Sequence, residues 1–361
     1  GYNSYSDSLD GETLDFSIEE LTEPETQEIA ESVSGVLIDS DPAWPPDGDE
    51  PFYSSDFLYI SNDMSDPHHS ELWSRYCESI LHEQRFFNEN AIRLLEAIFD
   101  GLESQQDAKK RPVLYQIKPG EKQGEIFRAR HASDEVKVVQ ILKNAGEELA
   151  PPPTRARRAG RMNPAGIAAF YGAFDISTCV AELRPEVGSY IAGAQFGIGR
   201  PIWVLDTMKF SSPFYLRHFE KLEQWQFMQS FMGEIANPVS SSDEYLDYIP
   251  TQVVAEFFLT TEIFKRNRKN IKIEGIIYNS AQRIGGKNIV LLGDAARIAP
   301  EEAAQRSRKK KESFIKGIGY FESGFDFSEP NYGIGLVPGS EQAYRVRGAD
   351  YKTNRHHNIW L

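Results

Sequence analysis

Between residues 70 and 103 apolar side chains recur every three or four positions. Leu72, Trp73, Tyr76, Ile80 and Leu81 form one stripe, and Leu94, Leu95, Ile98, Phe99 and Leu102 another, which predicts one or two amphipathic helices. From residue 112 the pattern shortens into apolar runs at 113–117, 126–128, 169–172, 202–205, 275–278 and 289–292, each of strand length. Helical spacing returns near 134–145, 176–183, 215–232 and 245–264. Strand and helix signals alternating without an internal repeat describe an α+β body of roughly 180 residues. The prolines at 151–153 and the basic stretch 155–161 read as a loop, because proline lacks the donor a continuing helix needs.

Residues 1–65 show no such period. Acids alternate with Ser, Pro and Gly, as in Asp41-Pro42-Ala43-Trp44-Pro45-Pro46-Asp47-Gly48-Asp49. Like charges with little apolar surface predict disorder or loose structure: a solubilising tail or an acidic lid over a basic cleft. The charge is split accordingly. Residues 1–74 hold nineteen Asp or Glu and no Lys or Arg, so the chain's net −15 conceals a body at +4. Hydrophobic residues at 40% are enough to bury a core across 361 residues. No window approaches the roughly 18 uninterrupted apolar residues of a membrane span, and the first residues carry neither a basic nor an apolar signal segment. Two cysteines, Cys77 and Cys179, are too few for a disulfide framework or a structural zinc site, so a reducing, cytoplasmic setting is expected.

Familiar catalytic signatures are missing. There is no GxxxxGK[ST] loop and no GxSxG elbow, and Gly193-Ala194-Gln195-Phe196-Gly197 does not open a dinucleotide-binding turn. His82-Glu83 begins a zinc-protease motif that fails at Phe86; His68-His69 reads as a loop pair, and His131 and His218 stand alone. No metal site is expected. The run Arg306-Ser307-Arg308-Lys309-Lys310-Lys311 lacks interleaved aromatics and adjoins Glu301, Glu302 and Glu312, so it reads as a solvated helix face rather than a nucleic-acid contact.

What remains is a set of polar residues near predicted strand ends. Arg128 and Arg130 alternate along one strand, so both face one side, where two guanidiniums suit a pyrophosphate or simply line an exposed face. The glycine-bounded loop Gly160-Arg161-Met162-Asn163-Pro164-Ala165-Gly166 leads into Tyr171, offering a further cation and a ring for stacking. Glu182 sits among small apolar neighbours on a helix; it either pairs with Arg184 or stabilises a developing cation. Ser280 ends a strand and by itself reads equally as a turn residue.

Taken in order, Phe127-Arg128, the 160–166 loop, Tyr171, Ala181-Glu182-Leu183-Arg184-Pro185, Tyr248-Ile249-Pro250-Thr251-Gln252 and Tyr278-Asn279-Ser280 with Asn288 resemble the RES-domain family, named for its Arg, Glu and Ser. The resemblance runs from about Ile126 to Leu292, and the segment 72–102 is similar to the helical unit preceding some long members. It implies an ADP-ribosyltransferase-like fold that consumes NAD+ as a substrate and needs no separate cofactor. It also implies a toxin that cleaves the nicotinamide–ribose bond and is held in check by an antitoxin or immunity protein. Arg128, Glu182 and Ser280 would be the named triad, Tyr171 the nicotinamide-pocket tyrosine, and Arg130, Arg161 and Asn288 further substrate contacts.

The resemblance divides the chain into an acidic arm (1–65), a helical accessory segment (66–110), a RES catalytic domain (111–300) and an unassigned C-terminal extension (301–361). Water or phosphate as nucleophile makes the protein a glycohydrolase or a phosphorylase. Transfer to protein makes it an ADP-ribosyltransferase, with the long insert between Glu182 and Ser280 holding the acceptor. A catalytically silent interaction module is the reading from a different class. The family pattern is exceeded by that insert, by the acidic arm and by the tail.

Overall fold

A computed structural model describes residues 12–22, 26–40, 51, 53–59, 68–211, 219–236, 244–266, 268–300 and 332–348. It divides the chain into two compact units, Gly1–Asp66 and Pro67–Leu361. The predicted arm is therefore not featureless. In the first unit α1 (Leu14–Thr22) buries Leu14 and Ile18, four apart on one face, and α2 (Gln27–Ser40) buries Ala30 and Ser34 in the same way. Leu14, Ile18 and Ala30 bury together beneath Leu37, Ile38, Tyr53 and Tyr59. Paired backbone bonds between Glu12 and Tyr59, 2.7 Å each, close the unit. Even an acidic segment forms helices where enough apolar positions share a face. The stretch 41–50 and the basic run 306–311 lie outside the described residues.

The second unit opens with α3 (His68–Glu78) and α4 (Glu89–Phe99), separated by a short π-helical turn at Ser79–Glu83. Asn88 caps α4, accepting the Ala91 N–H at 2.8 Å. Then come β1 (Leu114–Ile117), β2 (Glu125–Ala132), α5 (Glu135–Lys143), α6 (Ala145–Glu148), β3 (Ala169–Ala173), α7 (Ile176–Glu182), β4 (Tyr190–Ile198) and β5 (Ile202–Asp206). They are followed by α8 (Phe219–Ala236), α9 (Glu244–Asp247), α10 (Ile249–Thr260), β6 (Lys265–Arg266), β7 (Lys269–Asn270), β8 (Gly275–Asn279), β9 (Lys287–Leu292), β10 (Ile334–Leu336) and β11 (Gln342–Arg345). The chain is α+β, as the alternating pattern predicts.

One sheet runs β1-β5-β8-β9-β3-β2-β4-β10, with β11 also pairing β4 and only β5–β8 parallel among these pairs. Alternation along the strands divides the core in two. Leu205, Ile276, Tyr278, Val290 and Leu292 join α3, α4, α8 and α10 on one face. Val204, Ile277, Ile289 and Leu291 join α5 on the other. The segment 72–102 therefore shares a core with the sheet, and the fully buried Tyr76 donates its hydroxyl to the Pro250 carbonyl at 2.7 Å.

Three local differences from the sequence reading have physical causes. The stretch 245–264 is two helices rather than one, because Pro250 begins α10 afresh after the turn at Tyr248. The glycine-rich stretch 190–198 is a nine-residue strand. Gly193 is needed there because a Cβ would lie 2.9 Å from Ile176 and 3.2 Å from Tyr344. The C-terminal extension supplies β10 and β11, both paired to β4. The helix expected over 215–232 is seen from Phe219 onward, residues 215–218 lying outside the described chain.

Candidate functional site

The site forms where the sheet is weakest. β2 and β3 share a single ladder pair, Phe127 with Ala173, whereas β2 pairs with β4 along its whole length. Beside this sparse seam lies a cleft of about 210 Å³, lined by Arg128, Ala129, Tyr171, Gly172, Ala173, Cys179, Glu182, Leu183, Tyr278 and Asn288. Small residues on β2 and β3 keep it open.

Helix α7 carries Glu182 to the cleft. Asp175 starts the helix by accepting the Thr178 N–H at 2.9 Å and the Thr178 hydroxyl at 2.6 Å. Burial acts to raise the Asp175 pKa, but the Thr178 bonds and the charge of Arg283 outweigh it and hold the carboxyl below its usual range. Glu182 is the last helical residue.

From the other side the β8–β9 hairpin brings two partners. Asn288 pairs with Tyr278 across the ladder, and the Ser280 N–H closes on the Gly286 carbonyl at 2.9 Å. Both then meet the same oxygen. Ser280 donates its hydroxyl to Glu182 Oε1 at 2.6 Å, and Asn288 donates its Nδ2 to that atom at 2.6 Å. Ser280 Oγ also accepts the backbone N–H groups of Gln282 (3.2 Å) and Arg283 (3.1 Å). A hydroxyl has one proton and two lone pairs, so Ser280 is fully engaged and acts by holding Glu182. Two acceptors are left over. Glu182 Oε2 makes no hydrogen bond among the described residues. Asn288 is 3% exposed and its Oδ1 has no partner.

Arg128 supplies the cation. It is half-buried, donates to the Tyr171 carbonyl at 3.3 Å and lies over the Phe170 ring at 4.8 Å. No carboxylate pairs with it among the described residues. Burial pulls its pKa down to about 10, so it remains charged at neutral pH.

Tyr171 is fixed through its hydroxyl. Its hydroxyl donates to Asn163 Oδ1 at 2.8 Å and accepts the Met162 N–H at 3.1 Å. A Cβ on Gly160 would sit 2.8 Å from that hydroxyl, which explains a glycine there. The loop is clamped in turn by α10: Thr251 donates to the Arg161 carbonyl at 2.5 Å and Gln252 to the Gly160 carbonyl at 2.8 Å. The stretch Tyr248–Gln252 thus supports the loop from behind.

Arg128, Tyr171, Glu182, Ser280 and Asn288 are brought together, the first three and Asn288 lining the cleft and Ser280 bonded to Glu182. Arg130 instead bonds the carbonyl and carboxylate of Glu148 at 3.0 and 2.8 Å and is absent from the cleft wall. Arg161 is also outside that wall, although its charge acts on the Tyr171 and Tyr278 phenols. Arg184 makes no ion pair with Glu182; it holds the left-handed φ of 46° in the turn that ends α7.

Sequence reasoning gave no role to Tyr278 or Cys179, both in the cleft wall. Burial raises both, the thiol to about 12, so Cys179 stays protonated and serves as packing. The detectable signal was alternation: Tyr278 shares a face with Ile276 on β8. Among the described residues no group of His, Cys, Asp and Glu is arranged to hold a metal, and no helix is long and apolar enough to cross a membrane.

Residues 137–313 match the family model of the RES domain. The match spans Tyr171, Glu182, Ser280 and Asn288, while Arg128 lies before its start. No curated protein and no solved structure matches the chain.

Proposed function

We propose that this protein cleaves the bond between nicotinamide and ribose in NAD+, as a glycohydrolase or phosphorylase, and acts as a toxin by depleting NAD+. The observation that carries the reading is a mismatch of partners in one cleft. An unpaired guanidinium, Arg128, shares it with two acceptors lacking donors, Asn288 Oδ1 and Glu182 Oε2. Asn288 Oδ1 is buried, and buried polar groups without partners are rare in native folds, so a ligand donor is expected there; Glu182 Oε2, on an exposed side chain, is open to the same ligand. It must be an anion that also brings hydrogen-bond donors. A dinucleotide with ribose hydroxyls, a carboxamide and a diphosphate has this composition, and a cleft of about 210 Å³ would take one end of it.

The chemistry follows from the charges. As the C–N bond breaks, its electron pair goes to the pyridinium nitrogen, nicotinamide leaves neutral, and the ribose becomes oxocarbenium-like. Glu182 Oε2 faces that cation or holds the ribose 2′-hydroxyl, and is fixed because Oε1 is anchored by Ser280 and Asn288. Arg128 neutralises the diphosphate. Tyr171 and Tyr278 offer flat surfaces to the nicotinamide ring. Water then adds to C1′ and loses a proton to solvent, or phosphate adds as its anion. Release of free nicotinamide by the purified protein, lost in Glu182→Gln, is the test. Label appearing on protein instead of in a soluble product would favour ADP-ribosyl transfer, and a folded protein that neither binds nor consumes NAD+ would sink the reading.

A further inference from the structure

Arg283 lies in the β8–β9 turn, three residues after Ser280, yet its guanidinium reaches the far end of α7. Nη1 donates to Asp175 Oδ1 at 2.7 Å and to Thr178 Oγ1 at 2.9 Å, in the first turn of the helix whose last residue is Glu182. Its backbone is tied to the turn as well. The N–H donates to Ser280 Oγ at 3.1 Å and the carbonyl accepts the Gly286 N–H at 3.0 Å. Gly286 presses on the same helix: a Cβ there would sit 2.7 Å from Thr178 Oγ1. The turn therefore lies along α7, clipped at the helix start by Arg283 and at its end by the Ser280–Glu182 bond.

We propose that Arg283 is a positioning residue for this site: it holds the turn in register along α7, so that Ser280 stays bonded to Glu182 and Glu182 Oε2 stays aimed into the cleft. The inference rests on the reading of the cleft as an NAD+-cleaving centre. A turn carrying Gly285 at φ +72° and Gly286 has little stiffness of its own. Without the clip, Ser280 is held within its own turn, by the amides of Gln282 and Arg283 and by its N–H bond to Gly286, but the turn loses its bonds to the start of α7, and small misplacements of a catalytic group are expensive. Both bonds leave one nitrogen, Nη1, so lysine in place of Arg283 keeps a charge and donors that can replace them in part, on a different stem and without the planar guanidinium.

The test is a cycle of full-length variants, Arg283→Ala, Arg283→Lys, Ser280→Ala and Arg283→Ala with Ser280→Ala, assayed for nicotinamide release from NAD+. Because Arg283 acts through Ser280, Arg283→Ala should lower kcat about tenfold with KM little changed, Arg283→Lys should recover part of it, and Arg283→Ala should cost nothing more in the Ser280→Ala background. Multiplying losses in the double variant, or wild-type kcat in Arg283→Ala, would overturn the proposal. Amide hydrogen exchange needs no turnover and is read in parallel, including on Arg283→Lys should the alanine variant not fold. Faster exchange confined to the 280–286 turn supports the clip, and unchanged exchange there refutes it. If the wild-type protein consumes no NAD+, the proposed function fails and the exchange result alone decides the role of Arg283.

Discussion

Glu182 and Ser280, 98 positions apart in the chain, meet at 2.6 Å, carboxylate Oε1 to hydroxyl Oγ. Because Asn288 donates to the same oxygen at 2.6 Å, one side of the carboxylate is bound to the protein and the other is left for a ligand. The serine spends its own lone pairs on two backbone amides of its turn. The site is thus built to fix one oxygen of a carboxylate opposite a cation that no carboxylate among the described residues neutralises.

That cation should weigh on the ligand-free fold. A guanidinium whose pKa burial has lowered to about 10 destabilises the native state at neutral pH, since folding favours its uncharged form. Arg128→Met should therefore leave ligand-free stability unchanged or raise it by about 1 kcal/mol, while removing the stabilisation that added NAD+ gives the wild type. Thermal melts with and without NAD+ measure both, and an Arg128→Met protein that NAD+ still stabilises as before would remove Arg128 from the site.

The seam between β2 and β3 gives a steric prediction. A Cβ on Gly172 would lie 2.4 Å from Ile126 Cγ2 and 2.9 Å from the Phe127 carbonyl oxygen, so neither strand can stay where it is. Gly172→Ala should destabilise the protein by about 1–3 kcal/mol, read as a lower denaturant midpoint. An unchanged midpoint would mean that the seam is looser than these distances imply.

Asp175 makes a pH prediction. Its carboxyl is held below the usual range, so it contributes stability above the ordinary carboxylate value and loses it as the pH falls through the lowered native value. Asp175→Ala removes the helix cap and should cost about 1 kcal/mol at neutral pH. That gap should narrow on acidification below about pH 4. Denaturant titrations across pH 2–7 test it, a gap of constant size being the contrary result.

Much of this was legible in the chain, for identifiable reasons. The helical spacing near 134–145 and 176–183 is met by α5 and α7, which Asp134 and Asp175 cap. The apolar runs on β5, β8 and β9 are buried on both faces and read as strands without ambiguity. β4 was not among the predicted strands: Gly193 interrupts its apolar pattern and is there for close packing against Ile176 and Tyr344. β10 and β11 are short and take their order from β4, which no local pattern announces. In the site, Glu182, Ser280 and Asn288 were singled out through the ordered motifs of the family resemblance, Ser280 by itself reading equally as a turn residue. Their convergence on one oxygen, the diversion of Arg130 to Glu148 and the reach of Arg283 to Asp175 depend on tertiary geometry.

The most direct test of the central claim is nicotinamide release. Purified protein is incubated with NAD+, with and without phosphate, beside Glu182→Gln, whose side-chain carbonyl can still accept from Ser280 and Asn288 and so preserves the fold. Nicotinamide should accumulate with the wild type and fall by about 100-fold or more in the variant, and dependence on phosphate would identify the nucleophile. Equal release by Glu182→Gln, or none from a folded wild-type protein that also fails to bind NAD+, would contradict the account.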